Sequence, residues 1–516
     1  MLVYGAGGVI GKVIPLIMVP IVTRLMPNSS YYGISDMSNS LLSFCSSLAV
    51  MGMYDAMYRM FFERDKNDFA YKKEVCSTTL TFTLMTSFAV FVIMLLMKDY
   101  LAQWFFEDRQ YSYIIYITAT ATLIGATNSI VSAPTRMENK RGVYLITNTV
   151  SPLISYAISI PLLLAGYYLI ALPLAGAISA LTMEATFMIL NRKWFSFRKV
   201  NWTLLKQLLI IAVPLLPNFI IYWVFDSSDR LMITNLIGLE ATGVYAVSAK
   251  LGHVSQLIYT AFAGGWQYFA FSVMKEKDQV KTNSSIFEYM GALSFACVVF
   301  AFALSEPLFH LLFEEEYWEG FVAAPYLFFA PLLLMLFQIE SNQFLVIKKT
   351  WPNLLVLSLG AGLNILLNYF LIPVLGIEGA AIGTLVGYAV SVFICTIVLC
   401  RMKLMRIEPR FIIATLLIVG YICLWRFFMI NIAWVSVIAA CVFTILIVLL
   451  YLKDLRNLFK IIGNALARRK AVAVNTASEE SSDESNENAD RDADESLDID
   501  GDVAAESTEE RNNEVK

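Results

Sequence analysis

Charge is scarce along this chain. Only 16% of its 516 residues are Asp, Glu, Lys or Arg, while 58% are hydrophobic and the mean hydropathy is +0.63. Soluble domains carry about a quarter charged residues, so a soluble fold is excluded. Cysteine is sparse as well: Cys45, Cys76, Cys297, Cys395, Cys400, Cys423 and Cys441 all sit in or beside apolar stretches. They lack metal-ligand spacing, which leaves them as small packing residues. No Walker-type phosphate loop occurs, which argues against direct use of ATP. The first apolar stretch runs into the turn Pro27-Asn28-Ser29-Ser30 without a small-residue cleavage pattern, so no cleavable signal is expected. The chain enters that stretch with no cytoplasmic lead, which leaves open whether its start lies further upstream.

What is present is a series of long apolar runs. About twenty residues at 1.5 Å each cross the roughly 30 Å hydrocarbon core. Fourteen runs are long enough: 2 to 25, 33 to 62, 75 to 97, 110 to 135, 143 to 167, 171 to 190, 204 to 237, 240 to 272, 284 to 305, 321 to 346, 352 to 373, 379 to 400, 409 to 427 and 433 to 452. They are continuously apolar, whereas barrel strands alternate, so an all-α polytopic membrane protein is expected.

The loops set the orientation. The stretches Arg59 to Lys73, Arg136 to Arg141, Arg192 to Lys206, Lys275 to Lys281, Lys348 to Lys349, Arg401 to Arg410 and Lys453 to Lys470 hold 28 of the 38 Lys and Arg residues. The opposite loops hold only Arg24, Lys98, Arg109 and Arg426. The positive-inside bias therefore predicts a plasma-membrane protein with both termini cytoplasmic. From Ala471 to Lys516 sixteen acidic residues face three basic ones, a composition that cannot bury enough apolar surface to fold alone. The outer loops reach only about fifteen residues, including Glu306 to Gly320, in which Glu314-Glu315-Glu316 reads as a solvated acidic face.

The chain repeats itself. Thr23-Arg24-Leu25-Met26, a turn and Gly33-Ile34-Ser35 correspond to Thr234-Asn235-Leu236-Ile237, a turn and Gly243-Val244-Tyr245, at an offset of about 210 residues. This predicts a first lobe of six helices over 1–200, a second over 201–405, two added helices over 406–453 and a cytoplasmic tail over 454–516. Parallel repeats rocking about a central cavity are a transporter architecture.

Charged residues inside such runs are expensive and mark a pathway or a partner. Asp226, Asp229 and Arg230 interrupt the seventh run, with Asp226 and Arg230 four apart on one face. Asp226 and Lys250 each lie about 18 Å of helix from the turn at Gly238, which places them at similar depth. A cluster of Asp226, Asp229, Arg230 and Lys250 is expected, either lining a wet cavity or locking two helices together. Lys12 and Asp36 pose the same alternative in the first lobe. Arg24 is a cavity candidate or snorkels outward, Arg59 a cavity candidate or cytoplasmic anchor, and Glu340 with Gln343 a further cavity candidate. His253 is a proton-linked group or a satisfied helix histidine. Asn364 and Asn368 share a face and suit bonding between helices. Pro15, Pro20, Pro152, Pro161, Pro214 and Pro217 free backbone carbonyls and allow kinks.

Three sets of residues carry a family resemblance. Thr23-Arg24-Leu25 with Tyr32-Gly33 and Gly52-Met53-Tyr54-Asp55-Ala56-Met57-Tyr58-Arg59 is the first. Pro214-Leu215-Leu216-Pro217-Asn218, Ser228-Asp229-Arg230, Gly243-Val244-Tyr245, Lys250 and Trp266 form the second. Leu363-Asn364, Asn368, Ile372-Pro373, Gly376 and Gly379-Ala380-Ala381 form the third. Over residues 1 to 453 the chain resembles the polysaccharide-biosynthesis transporters of the multidrug/oligosaccharidyl-lipid/polysaccharide (MOP) exporter superfamily, departing from them in its missing lead and acidic tail. The resemblance implies a flippase, not an enzyme, that moves undecaprenyl-pyrophosphate-linked oligosaccharide to the outer leaflet through a cationic cavity. It implies an H+ or Na+ gradient as the drive, no other cofactor, contact with membrane lipid, polymerase or glycosyltransferase partners, and no nucleic acid. Carried over by position, Asp229, Arg230 and Lys250 are cavity residues, with Arg24 and Arg59 behind them. A lipid II flippase, a multidrug antiporter of the same superfamily and a membrane oligosaccharide polymerase are the alternatives.

Overall fold

The computed structural model describes residues 2–64, 68–273, 278–347, 349, 351–454 and 456. Among these the chain is helical, with no strand. The helices are α1 (Leu2–Arg24), α2 (Ser29–Val50), α3 (Met53–Phe61), α4 (Phe69–Leu96), α5 (Lys98–Phe106), α6 (Ser112–Met137), α7 (Arg141–Leu164), α8 (Tyr168–Asn191) and α9 (Trp202–Ala212). There follow α10 (Leu216–Ile237), α11 (Leu239–Gly252), α12 (Gln256–Ser272), α13 (Gln279–Leu312), α14 (Ala324–Val346), α15 (Trp351–Leu375), α16 (Ile377–Arg401), α17 (Pro409–Leu424) and α18 (Ala433–Leu450).

The breaks have local causes. Met51 and Gly52 are both left-handed, at φ 51° and 73°, and α2 bends by 46° into α3. A Cβ at Gly52 would lie 2.7 Å from the Ala212 carbonyl, so close approach of α9 adds to the demand for glycine. Asp68 and Asn201 each accept backbone N–H bonds that start α4 and α9. A 3₁₀ turn at His253–Ser255 divides α11 from α12 into pieces of 14 and 17 residues.

Among the described residues eleven helices are long and apolar enough to cross a membrane, or twelve with the bent α2 and α3 counted as one span. The two remaining stretches expected from sequence, 2 to 25 and 240 to 272, are α1 and the interrupted pair α11 and α12. The chain is a multi-pass membrane protein. Within the bundle α14 is central, with 78% of its most apolar stretch buried, whereas α7 has 11%. The first unit of the structure ends at Ile445. In the second, α18 finishes at Leu450 and a turn at Tyr451 leads into helical residues 452–454. The expected acidic tail lies outside the described residues apart from Asp454 and Arg456.

Candidate functional site

The charged turn of α10 faces two ways. On one side Arg230 Nε lies 2.8 Å from Asp36 Oδ2 of α2, and both side chains are buried. Arg230 Nη1 also donates to the Asp226 carbonyl at 2.5 Å and stands 4.0 Å from the Asp226 carboxylate, whose side chain is 58% exposed. A buried guanidinium needs its partners close, because desolvation alone costs several kcal/mol per ion. Asp36 supplies that partner from the first half of the chain.

On the other side the buried Asp229 carboxylate is fully engaged. It accepts from the N–H of Arg230 at 2.8 Å, from the Tyr245 hydroxyl, and from the Thr384 hydroxyl at 3.4 Å. Asn364 Nδ2 donates to Thr384 at 3.0 Å, and the Ser228 hydroxyl reaches Asn364 Oδ1 at 3.4 Å. Asn368 Oδ1 is buried with no hydrogen-bond partner among the described residues. Thus α10, α11, α15 and α16 converge on one knot of oxygen atoms around a single carboxylate. Among the described residues no group of three His, Cys, Asp or Glu side chains is placed to hold a metal ion, so this knot relies on hydroxyls and amides.

Two cavities of mixed polar and apolar lining flank this region. A cavity of about 310 Å³ is lined by Ser43 and Ser47 of α2, Tyr222, Trp223, Phe225 and Asp226 of α10, His253, Gln256, Tyr259, Thr384 and Tyr388. A second, of about 490 Å³, is lined by Lys12, Asn128, Tyr144, Asn148, Ser151, Ser155 and Ser179. Lys12 Nζ donates to Gln256 Oε1 at 3.1 Å and to Thr260 Oγ1 at 3.2 Å, so one ammonium joins the two. Thr384 both lines the first cavity and bonds Asp229, which puts the oxygen knot one side chain behind that wall.

The structure therefore divides the residues expected to line a cavity. Asp226 and Lys12 each line one, and His253, expected as a proton-linked or satisfied helix histidine, shares the cavity of Asp226. Asp229, Arg230 and Asp36 are sealed behind the wall, because each is consumed by a buried partner. The structure brings Asp226, Asp229 and Arg230 together on one turn of α10, while Lys250, near the end of α11, is exposed. Arg24 is exposed and donates to the Leu312 carbonyl at 3.3 Å, at the end of α13. Arg59 is exposed on α3. Glu340 is buried between α14 and α16, where the Thr396 hydroxyl donates to it, and Gln343 accepts from Gln279 at 2.9 Å. Two partners of Asp229, Tyr245 and Thr384, were not anticipated as site residues. Tyr245 stands in the second copy of the repeat, Gly243-Val244-Tyr245, where the first has Ser35, and that was the available signal; Thr384 carried none.

Lys12 supplies the one ammonium and Asp226 the one carboxylate of these two linings, beside the His253 imidazole and amid aromatic rings, amides and hydroxyls. Phe225 and Tyr388 stack at 4.0 Å, which stiffens the aromatic wall.

The fold is shared with known transporters. A structure of the lipid II flippase MurJ in an inward closed conformation superposes with a TM-score of 0.68 at 12% identity, covering 88% of this chain and 100% of that one. An inward-facing multidrug resistance MATE family transporter of the MOP superfamily gives 0.59 at 13% identity, covering 77% and 98%. An uncharacterized membrane protein of Methanocaldococcus jannaschii is 25% identical over 222 residues, 40% of this chain. The match spans 44% of that relative, less than half its length. The sequence profile described as polysaccharide biosynthesis protein matches residues 21–322, more than half of the chain, and the chain belongs to that family.

Proposed function

We propose that the protein is a flippase for lipid-linked oligosaccharide, moving undecaprenyl-pyrophosphate-linked repeat units across the plasma membrane by alternating access, with both termini cytoplasmic. The observation that carries this reading is a pair of cavities joined by Lys12, which lines the one within the first half of the chain and reaches Gln256 on the wall of the other from there. A charged, hydroxyl-rich headgroup cannot cross hydrocarbon unaided, because each unsatisfied polar group costs several kcal/mol there. Amides and hydroxyls of Asn128, Asn148, Ser151, Ser155 and Ser179 suit sugar hydroxyls, Lys12 suits a phosphate, and the rings of the other cavity suit sugar faces.

The coupling cation, H+ or Na+, is assigned to Asp229. Its carboxylate would exchange the cation against the hydroxyls of Tyr245 and Thr384. Thr384 and the Arg230 contact with Asp226 would carry the change to the cavity wall.

A multidrug antiporter is the second reading, because the smaller cavity combines aromatic walls with the single carboxylate Asp226. The deciding experiment removes the protein and follows two substrates. Lipid-linked oligosaccharide trapped on the cytoplasmic leaflet supports the flippase; normal exposure of oligosaccharide with retention of a cationic dye supports the antiporter. Asp229→Asn should end the dependence of export on external Na+ or pH, and a variant that keeps the dependence removes the assignment of the cation.

A further inference from the structure

Four contacts at one end of the bundle are reciprocal. Glu316, in the turn after α13, accepts from the N–H of Ser29, the first residue of α2, at 2.5 Å. Glu107, at the end of α5, accepts from the N–H of Leu239, the first residue of α11, at 3.3 Å. Each acid thus comes from one half of the chain and holds the helix start of the other. The side chain of Arg24, closing α1, donates to the Leu312 carbonyl at 3.3 Å, and that of Asn235, near the end of α10, donates to the Trp104 carbonyl at 2.9 Å. Arg24 and Asn235 are the matched positions of the internal repeat, and all of these pairs keep its offset of about 210 residues.

The backbones interlock in the same way. A Cβ at Gly33 would stand 2.4 Å from the Leu239 carbonyl, and a Cβ at Gly243 would stand 1.9 Å from the Ser29 carbonyl. So α2 and α11 cross glycine against helix start, twice. Glu107 itself holds a left-handed backbone at φ 61°, with its carbonyl accepting from Gln103 at 2.6 Å. A non-glycine residue in that region is strained, and such strain persists where the surrounding contacts over-determine it.

We infer that Glu107 and Glu316 are a matched pair of gating residues, whose carboxylates clamp the starts of α11 and α2 to shut this end of the transport path. The chemistry suits a latch: a helix N-terminus presents unpaired N–H groups and partial positive charge, and a carboxylate satisfies both while remaining exposed enough to let go. The inference rests on the transport reading for its purpose, but the state of the latch can be read without substrate.

The test uses the full-length protein in intact cells with Ser43, on the cavity wall, replaced by cysteine, and a membrane-impermeant maleimide added outside. The parent lacking S43C supplies the background from native thiols. Labelling of S43C should quicken about threefold in E107Q or E316Q and about tenfold in the double variant, while the control E315Q leaves it unchanged. An unchanged rate in the double variant at normal abundance overturns the inference. Should the double variant fail to accumulate, S29C with E316C provides the opposite test: oxidative joining should suppress S43C labelling reversibly, and labelling that ignores the cross-link sinks the latch. If labelling responds as expected but oligosaccharide export never depended on the protein, the gate survives and the flippase reading falls.

Discussion

Arg230 on α10 and Asp36 on α2 form a buried ion pair at 2.8 Å that ties a helix of each half to the other. Removing one member leaves an uncompensated charge, a loss of about 3–5 kcal/mol. Arg230→Ala and Asp36→Ala should each lower protein abundance and the unfolding temperature in detergent. The double replacement should recover much of the loss. Equal damage from single and double variants would show that the pair is not the source of the effect.

Asp226 differs from its neighbours because its side chain is 58% exposed and lines a cavity. Asp226→Asn keeps the shape and removes the charge. Export of the proposed substrate should fall about tenfold, equivalent to about 1.4 kcal/mol in the barrier, at unchanged abundance. Wild-type export by D226N would take the residue out of the transport path.

The crossing of α2 and α11 leaves no room for side chains. Gly243→Ala drives a Cβ to 1.9 Å from the Ser29 carbonyl, and overpacking of this kind costs about 1–3 kcal/mol. The unfolding temperature should fall, and more for Gly243→Ala than for Gly142→Ala, whose added Cβ would meet nothing within 4 Å. Equal tolerance at the two positions would contradict the close crossing.

Glu138, in the turn between α6 and α7, contributes a pH dependence. Burial would raise its carboxyl, but hydrogen bonds from Lys140 at 2.6 Å and from Lys193 outweigh this and hold it below the ordinary carboxylate range. A depressed folded value means stabilisation that is complete above the unfolded pKa, about 4.3 for Glu, and lost as pH falls through the folded value. Unfolding temperatures of wild type and Glu138→Gln should therefore differ at pH 7 and converge in acid. A difference that persists at pH 3 would place its origin elsewhere.

Much of the bundle was legible because hydrophobic length is a local property. A run such as 352 to 373 declares a helix that the structure draws as Trp351–Leu375. The charged turn of α10 was legible for a related reason, since Asp226 and Arg230 four apart must share a face. The partner of Arg230 was harder to read. Asp36 lies far away in sequence, and only the packing of α2 on α10 decides that it, and not Lys250, meets this turn. Glu316 was read as one of three solvated acids, because nothing in a run of glutamates distinguishes the member that reaches a helix start. The repeat contained that information in principle: once Arg24 is set against Asn235, Glu107 falls within two residues of Glu316.

The two glycines at the crossing tie the halves together at the level of backbone. Each leaves space for a carbonyl belonging to the opposite segment, so neither position can gain bulk without its counterpart's surroundings giving way. A side chain added at either one prises apart the same joint, and the two positions are sensitive for one shared reason.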